Sequence, residues 1–250
     1  MSVMRNKAVK ITAIALCIIL AVLLIAFATF LVYASDYYRA DKAAIEAFSY
    51  GGVTEQKEID DGILAFGDVE AEVGFIFYPG GKVEYTAYIP LMKAIASNGI
   101  FCVLIEMPFN LAVLDTDAAE KVIEKYNGIS RWYIGGHSLG GSMAASYAAK
   151  NSDAVDGVVL LGAYSTAKLG DKGIKVLSVY GSEDGVMNRE SYASYLDNLP
   201  EGFTERVISG ANHAGFGMYG RQDGDGTATV TNGEQIIITS EIINDFIKEK

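Results

Sequence analysis

The sequence has little of what several kinds of protein chemistry need. Its two cysteines, Cys17 in a long apolar run and Cys102 in a shorter one, provide no disulfide framework, and their number leaves the redox compartment open. Its two histidines, His137 and His213, stand without a nearby cysteine pair. No metal-ligand spacing follows from them, and neither a metal nor another cofactor is expected. Basic residues are outnumbered 20 to 31, for a formal net charge of -11. A chain of that sign repels phosphate backbones, which disfavours nucleic acid as a partner, and its folded part gains nothing from an anionic membrane surface. There is no internal repeat and no low-complexity tract.

Apolar residues, by contrast, are plentiful. Half of the 250 residues are hydrophobic and a fifth are charged, the balance of a globular protein carrying an added apolar segment. The length has room for one sizeable α/β domain or at most two small ones. The added segment is Ile11 to Ala34, 24 residues without a charge. As a helix it would extend about 36 Å, enough to cross a bilayer with some tilt. It has no polar face, which argues against a buried core helix. Arg5, Lys7 and Lys10 precede it, whereas Asp36 and Asp41 mix with Arg39 and Lys42 after it. The positive-inside rule then predicts a single-pass anchor in the cell membrane, with the N-terminus cytoplasmic and the rest outside. The rival is a signal peptide cleaved after Val32-Tyr33-Ala34, but the run exceeds the usual signal core of roughly 7–15 residues. Beyond the run lie 17 basic and 31 acidic residues, a net of -14.

The expected division is an anchor over 1–34, a connector over 35–60 and an α/β domain over 61–250. Within the connector, Asp36 to Ser49 has helical character and Gly51-Gly52 ends it. From Gly62 onward strands and helices alternate. Predicted strands are Ile63–Phe66, Val73–Tyr78, Phe101–Glu106, Arg131–Ile134, Gly157–Leu161, Ile174–Tyr180 and Thr204–Ile208. Predicted helices are Tyr85–Ser97, Thr116–Tyr126, Leu139–Lys150, Asn188–Leu196 and Gly233–Lys248. Continuous apolar strands alternating with helices imply a mostly parallel sheet covered on both faces.

In such sheets functional groups gather beyond the carboxyl ends of the strands. Arg131–Ile134 runs into Gly136-x-Ser138-x-Gly140, followed by an alanine-rich helix. This is the nucleophile-elbow pattern, in which a sharp strand-to-helix turn lifts the serine Oγ clear of the sheet and side chains at the flanking glycines would collide with neighbouring elements. Val73–Tyr78 runs into Pro79-Gly80-Gly81-Lys82. The backbone N–H of Gly81, or of its neighbours Gly80 and Lys82, can there join that of Leu139 as an oxyanion hole. Ile174–Tyr180 runs into Gly181-Ser182-Glu183-Asp184-Gly185, where Asp184, with Glu183 as rival, can orient a histidine. Thr204–Ile208 runs into Gly210-Ala211-Asn212-His213. His137 adjoins the serine with its side chain directed away from it, so a serine–histidine couple must use His213. Ser138, Asp184, His213 is the chain order of α/β-hydrolases, not of chymotrypsin or subtilisin.

On these residues the sequence resembles bacterial α/β-hydrolases of the dienelactone-hydrolase-like, fold-5 type. The likeness extends to Phe77-Tyr78-Pro79-Gly80-Gly81-Lys82-Val83, Met107-Pro108-Phe109-Asn110-Leu111-Ala112, Tyr180 to Gly185 and Gly210 to Ala214, and spans about residues 60–248. It implies the α/β-hydrolase fold, the triad and hydrolytic chemistry. Dienelactone hydrolases themselves use cysteine where this chain has Ser138. The expected activity is cleavage of a small carboxylic ester through an acyl-enzyme, with an amidase, peptidase or thioesterase on the same triad as alternatives. A membrane-tethered binding protein without catalysis is the reading from another class, and serine, aspartate and histidine at three strand exits argue against it. The expected partners are a small acyl substrate and, through the N-terminal helix, the membrane; the oligomeric state is not indicated. Glu106, Met107, Phe109 and Asn110 are candidates to line the pocket, and Phe216, Met218 and Tyr219 to cover it. The short connection Gly162 to Gly173 leaves no room for a large lid. Gln222-Asp223-Gly224-Asp225-Gly226 lacks the ligand spacing of an EF-hand and reads as a solvated turn.

Overall fold

The computed structural model describes residues 2–48, 56–60 and 62–249. The chain divides into two units, one ending at Tyr37 and the other beginning at Tyr38.

The first unit is one helix, α1 (Ser2–Ser35). Its segment Thr12–Ser35 is 24 residues long and apolar enough to cross a membrane. Leu16, Leu20, Leu23, Leu24 and Phe27 are all exposed; a helix apolar all round has no polar face to give to water.

The second unit begins with a short helix, α2 (Lys42–Ala47), capped by Asp41, whose side chain accepts the Ala44 N–H. Its strands are β1 (Gln56–Asp60), β2 (Ile63–Phe66), β3 (Val73–Tyr78), β4 (Phe101–Ile105), β5 (Arg131–His137), β6 (Gly157–Leu161), β7 (Lys175–Gly181) and β8 (Thr204–Ile208). Among the described residues they form one eight-stranded sheet in the order β1-β2-β4-β3-β5-β6-β7-β8. The pairs β1–β2 and β2–β4 are antiparallel, and the rest are parallel. The helices between are α3 (Ile89–Ala96), α4 (Ala119–Lys125), α5 (Leu139–Lys150), α6 (Arg189–Ser194) and α7 (Asn232–Lys248).

Alternation along the strands sends side chains to two cores. Phe75, Phe77, Leu104, Tyr133, Val159 and Leu177 meet Leu91 and Ile95 of α3 and Ile236, Ile243 and Ile247 of α7. Ile76, Val103, Ile134, Val158 and Leu160 meet Val122 of α4 and Ala144, Ala145 and Ala148 of α5. The small residues of α5 let that helix lie close on the sheet.

Two differences from the sequence reading have local causes. Part of the stretch read as connector joins the domain, since Gln56–Asp60 pairs with β2 as an edge strand. One apolar side chain in Gln-Lys-Glu-Ile-Asp is too weak a pattern to announce a strand. Tyr85–Ser97 begins as a 3₁₀ turn, Tyr85–Tyr88, before α3, because Pro90 occupies its first turn. The Gly51-Gly52 stop lies outside the described residues.

Candidate active site

The strand order reverses around β3, with β4 on one side and β5 on the other, and the candidate residues leave the strands from there to β8. Ser138 joins β5 to α5 with φ 51° and ψ -120°. Such a conformation costs a side-chain-bearing residue about 1–3 kcal/mol and persists only when its surroundings dictate it. Here the Ser138 N–H donates to Leu161 O at 2.9 Å, tying the elbow to β6. A Cβ on Gly136 would lie 2.5 Å from Tyr78 O, and one on Gly140 would overlap Tyr78 O and Pro79 O. Among the described residues the other non-glycines with positive φ are Lys82, Phe109 and Asn110. All of them follow β3, β4 or β5, so backbone strain collects at the strand exits.

His213 and Asp184 form a buried couple, with Nδ1 and Oδ2 2.8 Å apart and side chains 1% and 0% exposed. The other carboxylate oxygen, Oδ1, accepts the Val186 and Met187 N–H groups at 3.0 and 2.8 Å. Burial pushes the Asp184 carboxyl up, but the hydrogen bond and charge of His213 and these two N–H groups outweigh it, and its pKa falls below the ordinary carboxylate value. Glu183, the rival, is exposed and accepts the Ser182 hydroxyl. His213 Nε2 is buried and has no hydrogen-bond partner among the described residues, Ser138 Oγ included. Gly162, with φ +53°, lies directly on the couple: a Cβ there would stand 2.9 Å from His213 Nδ1 and 3.1 Å from Asp184 Oδ2.

His137 faces the α3 side of the sheet. Tyr88 Oη accepts the Gly80 N–H at 3.1 Å and lies 2.8 Å from His137 Nδ1, so its own proton goes to Nδ1 and the ring proton of neutral His137 is assigned to Nε2. The His137 ring packs 4.4 Å from that of His213, centroid to centroid. Complete burial, then the neighbouring His213, hold His137 well below the ordinary histidine pKa.

The Tyr88 contact narrows the oxyanion assignment. The Gly80 N–H is taken by Tyr88 Oη and the Lys82 N–H by Asn110 O at 2.8 Å. The Gly81 N–H meets no acceptor among the described residues, and Leu139 opens α5, where a helix offers none. The two residues adjoin: a Cβ on Gly81 would lie 3.0–3.3 Å from the Leu139 side chain.

The pocket candidates scatter. Phe109 is half-exposed, with φ 54°, next to the Asn110 that holds Lys82. Glu106 is exposed and lies against Gly62 at the β1–β2 turn, toward the antiparallel edge of the sheet. Phe216 is fully buried, its ring 5.5 Å from that of His137, and Met218 and Tyr219 are buried in the same core. Where a pocket cover was expected, these three pack behind the histidines. Sequence reasoning passed over Tyr88, Gly162 and Gln235. Gln235, 1% exposed on α7, pairs its amide with both the N–H and the C=O of Asn212, at 3.1 and 2.8 Å. A lone glutamine before Ile-Ile-Ile was the one visible sign of it.

Fold and site together define a hydrolase of the α/β type. A family model described as the alpha/beta hydrolase family matches residues 74–237, and the chain belongs to that family. None of the curated proteins matches it. Similar solved structures include a predicted CIB-like hydrolase from Thermoplasma acidophilum, at 17% identity over 77% of this chain and 99% of that one, with a TM-score of 0.56. Est1E from Butyrivibrio proteoclasticus shares 12% identity over 78% and 97%, with a TM-score of 0.55. The esterase domain of a Rhodothermus marinus protein shares 13% over 78% and 96%, also at 0.55. Likeness at these identities speaks for the fold.

Proposed function

We propose that the protein is a serine hydrolase that cleaves a small carboxylic ester with Ser138 as nucleophile, His213 as general base and Asp184 as its orienting acid. The observation that carries this reading is the buried 2.8 Å couple of His213 Nδ1 and Asp184, with Nε2 left unpartnered on a scaffold whose elbow presents a strained serine. A base bonded through Nδ1 to a carboxylate keeps Nε2 for the reacting proton. Nε2 takes the Ser138 hydroxyl proton as Oγ bonds to the acyl carbon, and the Gly81 and Leu139 N–H groups hold the oxyanion. The ester C–O bond then breaks and the alcohol leaves with that proton. Water, deprotonated by His213, attacks the acyl-enzyme and releases the acid and Ser138.

The small-ester reading is supported by the neighbour named as an esterase domain and by the β6–β7 connection, 162–174, which carries no helix to act as a lid. The reading of an anchored domain outside the cytoplasm is supported by the apolar length of Thr12–Ser35 and by the basic residues before it, as the positive-inside rule expects.

A fluorophosphonate probe tests the nucleophile: wild type should be labelled, and Ser138→Ala should not be while remaining folded. Persistent labelling of the variant places the nucleophile elsewhere. Among esters, thioesters and amides of one acyl group, the ester should be turned over fastest. Protease added to intact cells should reach the domain, and a protected domain reverses the topology.

A further inference from the structure

We propose that Asp225 is a positioning residue that holds the loops carrying Asp184 and His213 in register; this rests on reading those two residues as the acid–base couple. The couple is assembled from two loops, one leaving β7 and one leaving β8. Neither loop by itself sets the distance between the carboxylate and the imidazole. The Asp225 carboxylate bonds to the backbone of both. Oδ1 accepts the N–H of Gly185, directly after Asp184, at 3.1 Å, and the N–H of His213 at 3.2 Å. It also accepts the Gly226 N–H at 2.8 Å, and Oδ2 accepts the Ala214 N–H at 2.8 Å. Four main-chain donors thus converge on one carboxylate, three on Oδ1 and one on Oδ2, within the acceptor capacity of about four that its two oxygens offer together.

The segment bearing Asp225 is itself fixed. Asn212 Nδ2 donates to Gly226 O at 2.9 Å, and the Asp223 N–H donates to Tyr38 Oη at 3.2 Å. Gly224 and Gly226 pack against Glu183 and Gly185 so closely that a Cβ on Gly185 would stand 2.7 Å from Gly224 O. The run expected to be a solvated turn is therefore a bracket across the two catalytic loops. Asp225 touches no reacting atom and acts through the bond between His213 and Asp184. Misplacing a catalytic group by about 1 Å can cost on the order of a hundredfold in rate.

The substitutions grade the effect. Asp225→Asn can keep the Oδ1 contacts but turns an amide N–H₂ toward the Ala214 N–H, whereas Asp225→Ala removes both acceptor oxygens and with them all four bonds. The full-length protein in detergent micelles, labelled with ¹⁵N-histidine, is compared as wild type, both variants and Thr231→Ala, which loosens α7 at a cap. Two quantities are read: the maximal rate and half-saturating concentration of fluorophosphonate labelling, and the Nδ1–H resonance of His213, one of only two histidines. Asp225→Ala should lower the maximal rate by roughly 10–100-fold with little change in half-saturation, and should move the His213 resonance away from its hydrogen-bonded position. Asp225→Asn should fall between it and wild type, and Thr231→Ala should leave the resonance in place. A wild-type rate and resonance in Asp225→Ala overturn the proposal, as does an equal shift in Thr231→Ala. If Asp225→Ala does not fold, Asp225→Asn decides on the same readouts. If Ser138→Ala still labels, the triad reading fails while the resonance continues to test Asp225.

Discussion

The two histidines have separate tasks because the sheet puts their functional nitrogens in different places. His213 gives Nδ1 to Asp184 and leaves Nε2 unpartnered among the described residues. His137 gives Nδ1 to Tyr88, which in turn holds Gly80. His213→Ala should therefore lose about 10³–10⁶ in turnover, the range found when a triad member is removed. His137→Ala should lose far less, through the packing it gives to the His213 ring. Steady-state rates of the two folded variants check this, and the reverse order refutes the assignment. Gly162→Ala is the sharper probe of geometry. Its φ of +53° already disfavours a side chain, and the added methyl meets His213 Nδ1 and Asp184 Oδ2 together. Both melting temperature and labelling rate should drop. A variant that melts lower but labels like wild type would mean that the couple tolerates displacement.

At the scale of elements, α7 does more than cover a face of the sheet. Its N-terminus is closed by a capping box, in which Thr231 accepts the Glu234 N–H and Glu234 accepts that of Thr231. One turn in, Gln235 replaces a strand partner for Asn212 by bonding to both its backbone groups. The helix that anchors itself by its cap thus also anchors the loop carrying His213. Thr231→Ala should cost about 1 kcal/mol in urea unfolding. Gln235→Ala strands buried donor and acceptor groups and should cost about 1–3 kcal/mol, and unlike Thr231→Ala it should also slow labelling. Equal effects of the two substitutions on labelling would remove the special role of Gln235.

Across the molecule, buried titrating groups make stability depend on pH. The folded state holds His137 well below its ordinary pKa through burial and the nearby His213. As pH falls below about 6.5, the unfolded chain takes up that proton and the folded chain does not. The unfolded state then binds more protons, so stability declines on acidification, by at most about 1.4 kcal/mol per pH unit from this group. Asp184 has the same sign in a lower window. Its pKa is depressed in the fold, so its contribution is present above the ordinary carboxylate value of about 3.9 and is lost as pH falls through the folded-state pKa. Urea unfolding between pH 7.5 and pH 5 should show the decline, and His137→Gln should flatten it. An unchanged slope in that variant would assign the loss to other groups.

By itself the sequence determined what is local in the chain. Apolar runs of four to seven residues between turns announced most of β2 to β7, because burial on both faces of a sheet demands such runs. A glycine–serine–glycine turn between a strand and a helix announced the elbow, because close approach there excludes side chains. Only two histidines narrowed the base. Tertiary structure decided what depends on partners distant in the chain. It gave Asp184 rather than Glu183 to His213, 29 residues further on. It occupied Gly80 and Lys82 with Tyr88 and Asn110, leaving Gly81 and Leu139, and it withdrew Phe216 into the core. It also turned Asp225, in a stretch composed like a solvated turn, into an acceptor for the loops that carry Asp184 and His213. Composition sets whether a residue can donate, accept or bury its surface; which group it meets follows from the order in which strands join the sheet, and no stretch of local sequence encodes that order.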